Sequence, residues 1–148
     1  MDRKNDIIAL QSTALDIGAA IGDVGDHGSG AIAVFLGTTR GEVNAQGREL
    51  VALDYEAYAE MAETQMRQMA EDARRRWPIS RIVMLHRTGL VDVGQPSVLI
   101  AVSTPHRAEA FGACRFLIDD LKKQATIWKK EVWSDRSSTW AEGRGRQP

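Results

Sequence analysis

The chain has 148 residues, 43% hydrophobic and 26% charged, a mix that suits one folded domain and excludes a chain that is disordered as a whole or a fibrous repeat. Nineteen Lys and Arg against 20 Asp and Glu leave a formal charge of −1, which argues against a dominant nucleic-acid or anionic-membrane surface but leaves room for a local basic pocket. One cysteine, Cys114, rules out an intrachain disulfide and a thiolate-rich metal site in the monomer.

The polar start Met1–Asp6 precedes only a short apolar stretch. No run approaches the roughly 20 apolar residues that cross a bilayer. A cytoplasmic protein is expected, one domain over 1–148 with a flexible tail at about 143–148.

Ile7 to Leu10 suits a short first strand, and Asp16 to Val24 a helix with Ile17, Ala20, Ile21 and Val24 on one side and Asp16 as its cap. The loop Gly25–Gly30 has three glycines, but no strong strand before it and no Gly-Lys-Ser/Thr ending, so it does not read as a phosphate cradle. Ala31 to Leu36 predicts a buried strand, interrupted by Gly37–Gly41, and Val51 to Tyr55 another. The period then changes. Tyr58, Ala62, Met66, Met69, Ala73 and Trp77 recur every three or four positions, a helical face closed by Pro78, with the methionines as core filler.

Arg81–Arg87 and Ser97–Ser103 read as strands, joined through a shorter extended piece at Leu90–Val93. The last long helix is expected to start with Thr104 as cap and Pro105 in its first turn. Its apolar stripe is Ala110, Phe111, Cys114, Leu117, Ile118, Leu121 and Ala125, weakened at Gly112. Ile127–Trp133 suits a strand, Ser134–Ser138 a turn, and Thr139–Ala141 a short final segment. The order βαββαββαβ predicts an α+β fold with substantial antiparallel pairing.

Charge is uneven. Residues 105–148 carry nine basic against six acidic side chains, a balance of +3. At the helix start, His106 and Arg107 suit either an anion site, helped by free backbone N–H groups, or a plain cap with a surface pair. At the far end, Lys122 and Lys129 lie seven residues apart. On one helix they would sit within about 20° of each other and roughly 10 Å apart along the axis. With a break near Thr126 they can still border one cavity. Lys122 flanks the apolar stripe, and Lys123 points about 100° further round, toward solvent. A partly dry lysine near another cation loses its proton more readily and can attack a carbonyl or act as a base; an ordinary solvated pair is the alternative. Trp128 suits either a pocket wall or the core, and Arg40 comes from the earlier loop. Cys114 falls on the core stripe, and His27, His86 and His106 lack metal-type spacing. The tryptophans show no aromatic-basic nucleic-acid pattern.

In order and at compatible spacing, the chain has Phe35-Leu36-Gly37-Thr38-Thr39-Arg40, Leu53-Asp54-Tyr55-Glu56-Ala57-Tyr58, Arg76-Trp77-Pro78, His86-Arg87-Thr88-Gly89 and His106-Arg107. These continue with Leu121-Lys122, Ile127-Trp128-Lys129-Lys130-Glu131 and Ser137-Ser138-Thr139-Trp140. The set resembles the large, catalytic subunit of molybdopterin synthase.

That resemblance implies an α/β-hammerhead type of α+β fold, with mainly antiparallel strands packed against helices. It also implies a homodimer core within a 2+2 heterotetramer, with a ubiquitin-like small sulfur-carrier subunit at each end. The carrier's C-terminal thiocarboxylate would supply sulfur to cyclic pyranopterin monophosphate (precursor Z), with no prosthetic group and no metal. Carried over residue by residue, Lys122 is the central catalytic lysine and Lys129 the second. Arg40, His106, Arg107, Lys129 and Trp128 would bind substrate or the carrier tail. A carrier-binding subunit without activity is the alternative.

The chain departs from the family pattern at Thr126, where proline is usual, at Pro105, where alanine is, and at Gly41, where a polar residue is. Thr126 is expected to loosen the turn that carries Lys129.

Overall fold

The computed structural model describes residues 6–141; the expected tail at 143–148 lies outside them. In chain order the elements are β1 (Ile7–Gln11), α1 (Ile17–Val24), β2 (Ala31–Thr38), β3 (Leu50–Ala57), α2 (Ala59–Arg76) and β4 (Arg81–Arg87). They continue with β5 (Gly89–Asp92), β6 (Pro96–Thr104), α3 (Arg107–Gln124), β7 (Ile127–Trp133) and β8 (Ser138–Trp140).

Two four-stranded sheets result. One runs β1-β4-β6-β2, with β1 parallel to β4 and the other pairs antiparallel. The second runs β5-β3-β7-β8 and is antiparallel throughout. With helices against the first sheet, this is the mixed, mainly antiparallel α+β architecture expected of a hammerhead-type fold.

The main core fills the space between the first sheet and α2 with α3. Ile82, Met84, Ile100 and Val102 of the sheet meet Met66, Met69 and Ala73 of α2 and Ala113, Cys114, Leu117 and Leu121 of α3. On the sheet's other face, Ala20 and Val24 of α1 cover Val83, Leu99 and Ala101. Asp16 caps α1 by accepting from the Ala19 N–H at 3.0 Å. The outer edge of β1 is blunted by α2: Glu63 accepts from the Leu10 N–H at 3.1 Å, and Arg67 donates to the Ile8 carbonyl at 3.3 Å. No helix among the described residues is long and apolar enough to cross a membrane.

Two expectations about α3 need correction. Thr104 is not its cap and Pro105 not its first turn. Thr104 pairs with Ala31 as the last residue of β6, and the Pro105 carbonyl accepts from the Gly30 N–H at 3.1 Å. Strand pairing therefore claims Thr104 and the Gly30 bond holds Pro105, and the helix begins two positions later, with His106 as N-cap and the Glu109 carboxylate accepting from its N–H at 3.2 Å. Phe111 does not join the apolar stripe; it is 68% exposed, and Ala113 takes the buried position. Gly112 serves packing, because a Cβ there would lie 3.1 Å from the indole nitrogen of Trp77.

The two sheets meet where β4 passes into β5 through Thr88 and Gly89, the latter at φ +82°, a conformation that favours glycine. The functional residues gather along this seam.

Candidate active site

Two hollows open at the seam. The narrower, about 90 Å³, is walled by Val98, Ile118, Leu121, Ala125, Ile127 and Trp128, with His86 as a polar group. The wider, about 350 Å³, takes in Arg40, Glu42, Leu53 and Glu131. Tyr55, Ser97, Lys122 and Lys129 line both, so the two form one divided site.

Local structure explains how these side chains converge. Lys122 sits in the last turn of α3, one residue after buried Leu121. The helix then stops at Gln124 and the chain re-enters as β7. The turn between them is held rather than loose, because Gln65 of α2 accepts from both the N–H (2.8 Å) and the hydroxyl (3.1 Å) of Thr126. The Thr126 carbonyl in turn accepts from the Tyr58 N–H at 3.2 Å. The loosening expected from the missing proline is offset by these bonds.

In β7, pairing with β3 sets Lys129 opposite Tyr55 and Glu131 opposite Leu53, with all four on the face that lines the wider hollow. Lys130 has the opposite strand parity. It lies 3.4 Å from Glu56 and 4.9 Å from the Trp140 ring centroid, and it lines neither hollow. Arg40 follows β2 on a loop fastened at Thr39, whose N–H donates to the Gln95 carbonyl at 3.1 Å and whose hydroxyl donates to the Val91 carbonyl at 3.3 Å.

The wall between the hollows is a chain of hydroxyls. Tyr55 donates to Ser97 at 3.3 Å, and Ser97 donates to the Gly37 carbonyl at 3.3 Å. The Tyr55 ring meets His86 edge-on at 4.9 Å, and Trp128 meets Tyr58 likewise at 4.8 Å.

Electrostatics favour a reactive amine. Solvent reaches Lys122 through the open hollow, yet surrounding protein desolvates the amine and Lys129 repels its charge, so its pKa is held below the ordinary lysine value. Burial, with smaller contributions from Lys122 and Lys129, pushes His86 down to about 4. Glu131 is raised, first by desolvation and also by the neighbouring Glu42 carboxylate. Burial raises Cys114 to about 11, which suits a packed thiol rather than a nucleophile.

The site thus brings together Lys122, Lys129, Arg40 and Trp128 from the sequence reading. His106 and Arg107 are elsewhere: both are exposed at the start of α3, and Arg107 lies about 22 Å from Lys122 along the helix. Tyr55, His86, Ser97, Glu42 and Glu131 carry the site's remaining polar chemistry. Tyr55, His86 and Glu131 fall inside the sequence stretches that carried the resemblance. Their roles were hidden because only the seam between the sheets turns them toward the lysines.

Comparison with known proteins decides the family. The model described as MoaE protein matches residues 10–124. The chain belongs to the MoaE family. Among its MoaE relatives, the molybdopterin synthase catalytic subunit of Taeniopygia guttata is 42% identical over 144 residues, 97% of this chain and 91% of that protein. That of Nostoc sp. is 49% identical over 116 residues, 78% of this chain and 69% of the relative. In three dimensions, molybdopterin synthase from Staphylococcus aureus superposes with a TM-score of 0.86 at 31% identity, covering 97% of this MoaE chain and 99% of the other.

Proposed function

We propose that this chain is the catalytic subunit of a molybdopterin synthase, a cytoplasmic sulfurtransferase. It takes sulfur from the thiocarboxylated C-terminus of a small ubiquitin-like carrier and delivers it to cyclic pyranopterin monophosphate, twice per dithiolene. The observation that carries this reading is the convergence of Lys122 from α3 and Lys129 from β7 on one divided hollow that also holds Arg40. A neutral amine there is suited to attack the carrier's acyl carbon or to move a proton as sulfur leaves it. Lys129 and Arg40 offset negative charge from the thiocarboxylate and the substrate phosphate. No prosthetic group is invoked, because the carrier supplies the sulfur. A solved protein–protein complex of subunits 1 and 2 of the molybdopterin-converting factor from Helicobacter pylori, with a TM-score of 0.75 at 25% identity over 95% of this chain, supports a two-subunit assembly.

His106 and Arg107 are a helix length from Lys122, so we assign them to the hollow of the second protomer in a homodimer core. Mixing Lys122→Ala and Arg107→Ala subunits tests this. Heterodimers then hold one intact site and regain turnover; if both residues act within one chain, every site stays defective.

The activity is tested by combining the chain with thiocarboxylated carrier and precursor and following product mass. Two successive sulfur additions are expected. Carrier binding without any mass change would make the chain a non-catalytic scaffold.

A further inference from the structure

His86 is the one histidine buried in the fold, 6% exposed at the end of β4, and the role of Lys122 proposed above does not use it. Its Nδ1 lies 2.8 Å from the Arg87 carbonyl oxygen. A carbonyl only accepts, so Nδ1 carries the proton and Nε2 bears a lone pair. The Tyr55 ring, edge-on at 4.9 Å, holds the imidazole plane. Nε2 has no hydrogen-bond partner among the described residues, while Tyr55 and Ser97 beside it have committed their own hydroxyl protons. His86 and Lys122 line the same hollow of about 90 Å³, and the lysine amine swings on a flexible four-carbon stem.

We propose that His86 is a positioning residue: its Nε2 accepts a hydrogen bond from the Lys122 amine and aims the amine's lone pair into the wider hollow. The inference rests on the reading of Lys122 given above and deepens it. A neutral lysine amine has two N–H bonds and one lone pair. Tying one N–H to a fixed acceptor removes rotational freedom that would otherwise oppose attack. Proton abstraction by His86 is a poor alternative, because burial and the two lysines hold its pKa at about 4.

A neutral acceptor favours the ammonium form over the amine, so losing it lowers the lysine pKa further. The other groups around Lys122 are Tyr55 of β3, Lys129 and Glu131 of β7, and Arg40 and Glu42 from the loop after β2, joined in the dimer read above by His106 and Arg107 of the second protomer. All of them remain in the variants below.

His86→Asn keeps an N–H for the Arg87 carbonyl but has no acceptor that reaches the Nε2 position. His86→Gln sets an amide oxygen near the Nε2 position and loses the Arg87 bond. In an NMR titration of isotope-labelled lysine side chains, with no substrate present, the Lys122 midpoint is expected to fall in His86→Asn and to stay near the parental value in His86→Gln. Equal midpoints in the parent and His86→Asn overturn the proposal. With carrier and precursor, His86→Asn lowers kcat about tenfold at unchanged KM and moves the acidic limb of the kcat profile down, while His86→Gln restores most of the rate. Equal losses in both variants with an unmoved limb make His86 a mere wall residue and also overturn it. A parental protein that turns nothing over while the NMR difference persists sinks the sulfur-transfer reading and leaves the His86–Lys122 link standing.

Discussion

Lys122 and Lys129 reach one hollow from different elements, the last turn of α3 and the third residue of β7. Their seven-residue spacing is therefore bridged by a turn into a strand, and the strand's pairing with β3 decides that Lys129 faces inward while Lys130 does not. The hollow owes its cationic character to this arrangement rather than to a basic chain.

Lys129 acts on Lys122 through charge. Lys129→Met removes the repulsion, so the pKa of Lys122 rises back toward the ordinary lysine value. The acidic limb of the pH–rate profile for sulfur transfer should then move to higher pH, with Lys129→Arg leaving it in place. A limb that stays put in Lys129→Met would show that the two amines do not feel each other.

His86 makes the fold sensitive to acid. Its pKa is depressed from 6.5 in the unfolded chain to about 4 in the folded protein, so the unfolded state binds the extra proton between those values. Stability from this group is complete above about pH 6.5 and is lost as pH falls toward about 4, up to about 3 kcal/mol. Urea unfolding of the parent and His86→Asn across that window should show a steeper acid loss in the parent. Parallel curves would contradict it.

Gln65 anchors the turn that carries Lys129 by accepting two bonds from Thr126. Gln65→Ala leaves the Thr126 N–H without its partner and should cost about 1–2 kcal/mol in urea unfolding, along with lower turnover. Unchanged stability and rate would mean that solvent holds the turn as well as Gln65 does.

Much of this architecture was legible in the sequence because its signals are local. The Met66–Met69–Ala73 periodicity, the Asp16 cap and the apolar strand Val98–Val102 each depend on near neighbours. The start of α3 was not legible, because Thr104-Pro105 looks like a cap until strand pairing with β2 claims it, and that pairing joins residues 73 positions apart, Ala31 and Thr104. Phe111 shows the same limit: Ala110, Cys114, Leu117, Ile118 and Leu121 are buried as the stripe predicts, while Phe111 at its edge stays exposed and Ala113 packs inward. At the site, Lys122 stands out as a charge beside an apolar stripe and Lys129 by its seven-residue spacing from it. Tyr55, His86 and Ser97 have no charge to announce them, and they become a site only where two sheets meet.

The most direct test of the central claim is product mass from Lys122→Ala supplied with thiocarboxylated carrier and precursor, with Lys123→Ala as the neighbouring control. Loss of at least about a hundredfold in sulfur transfer, with carrier binding intact and Lys123→Ala near the parental rate, is the expected result. Lys122→Ala running at the parental rate would contradict it.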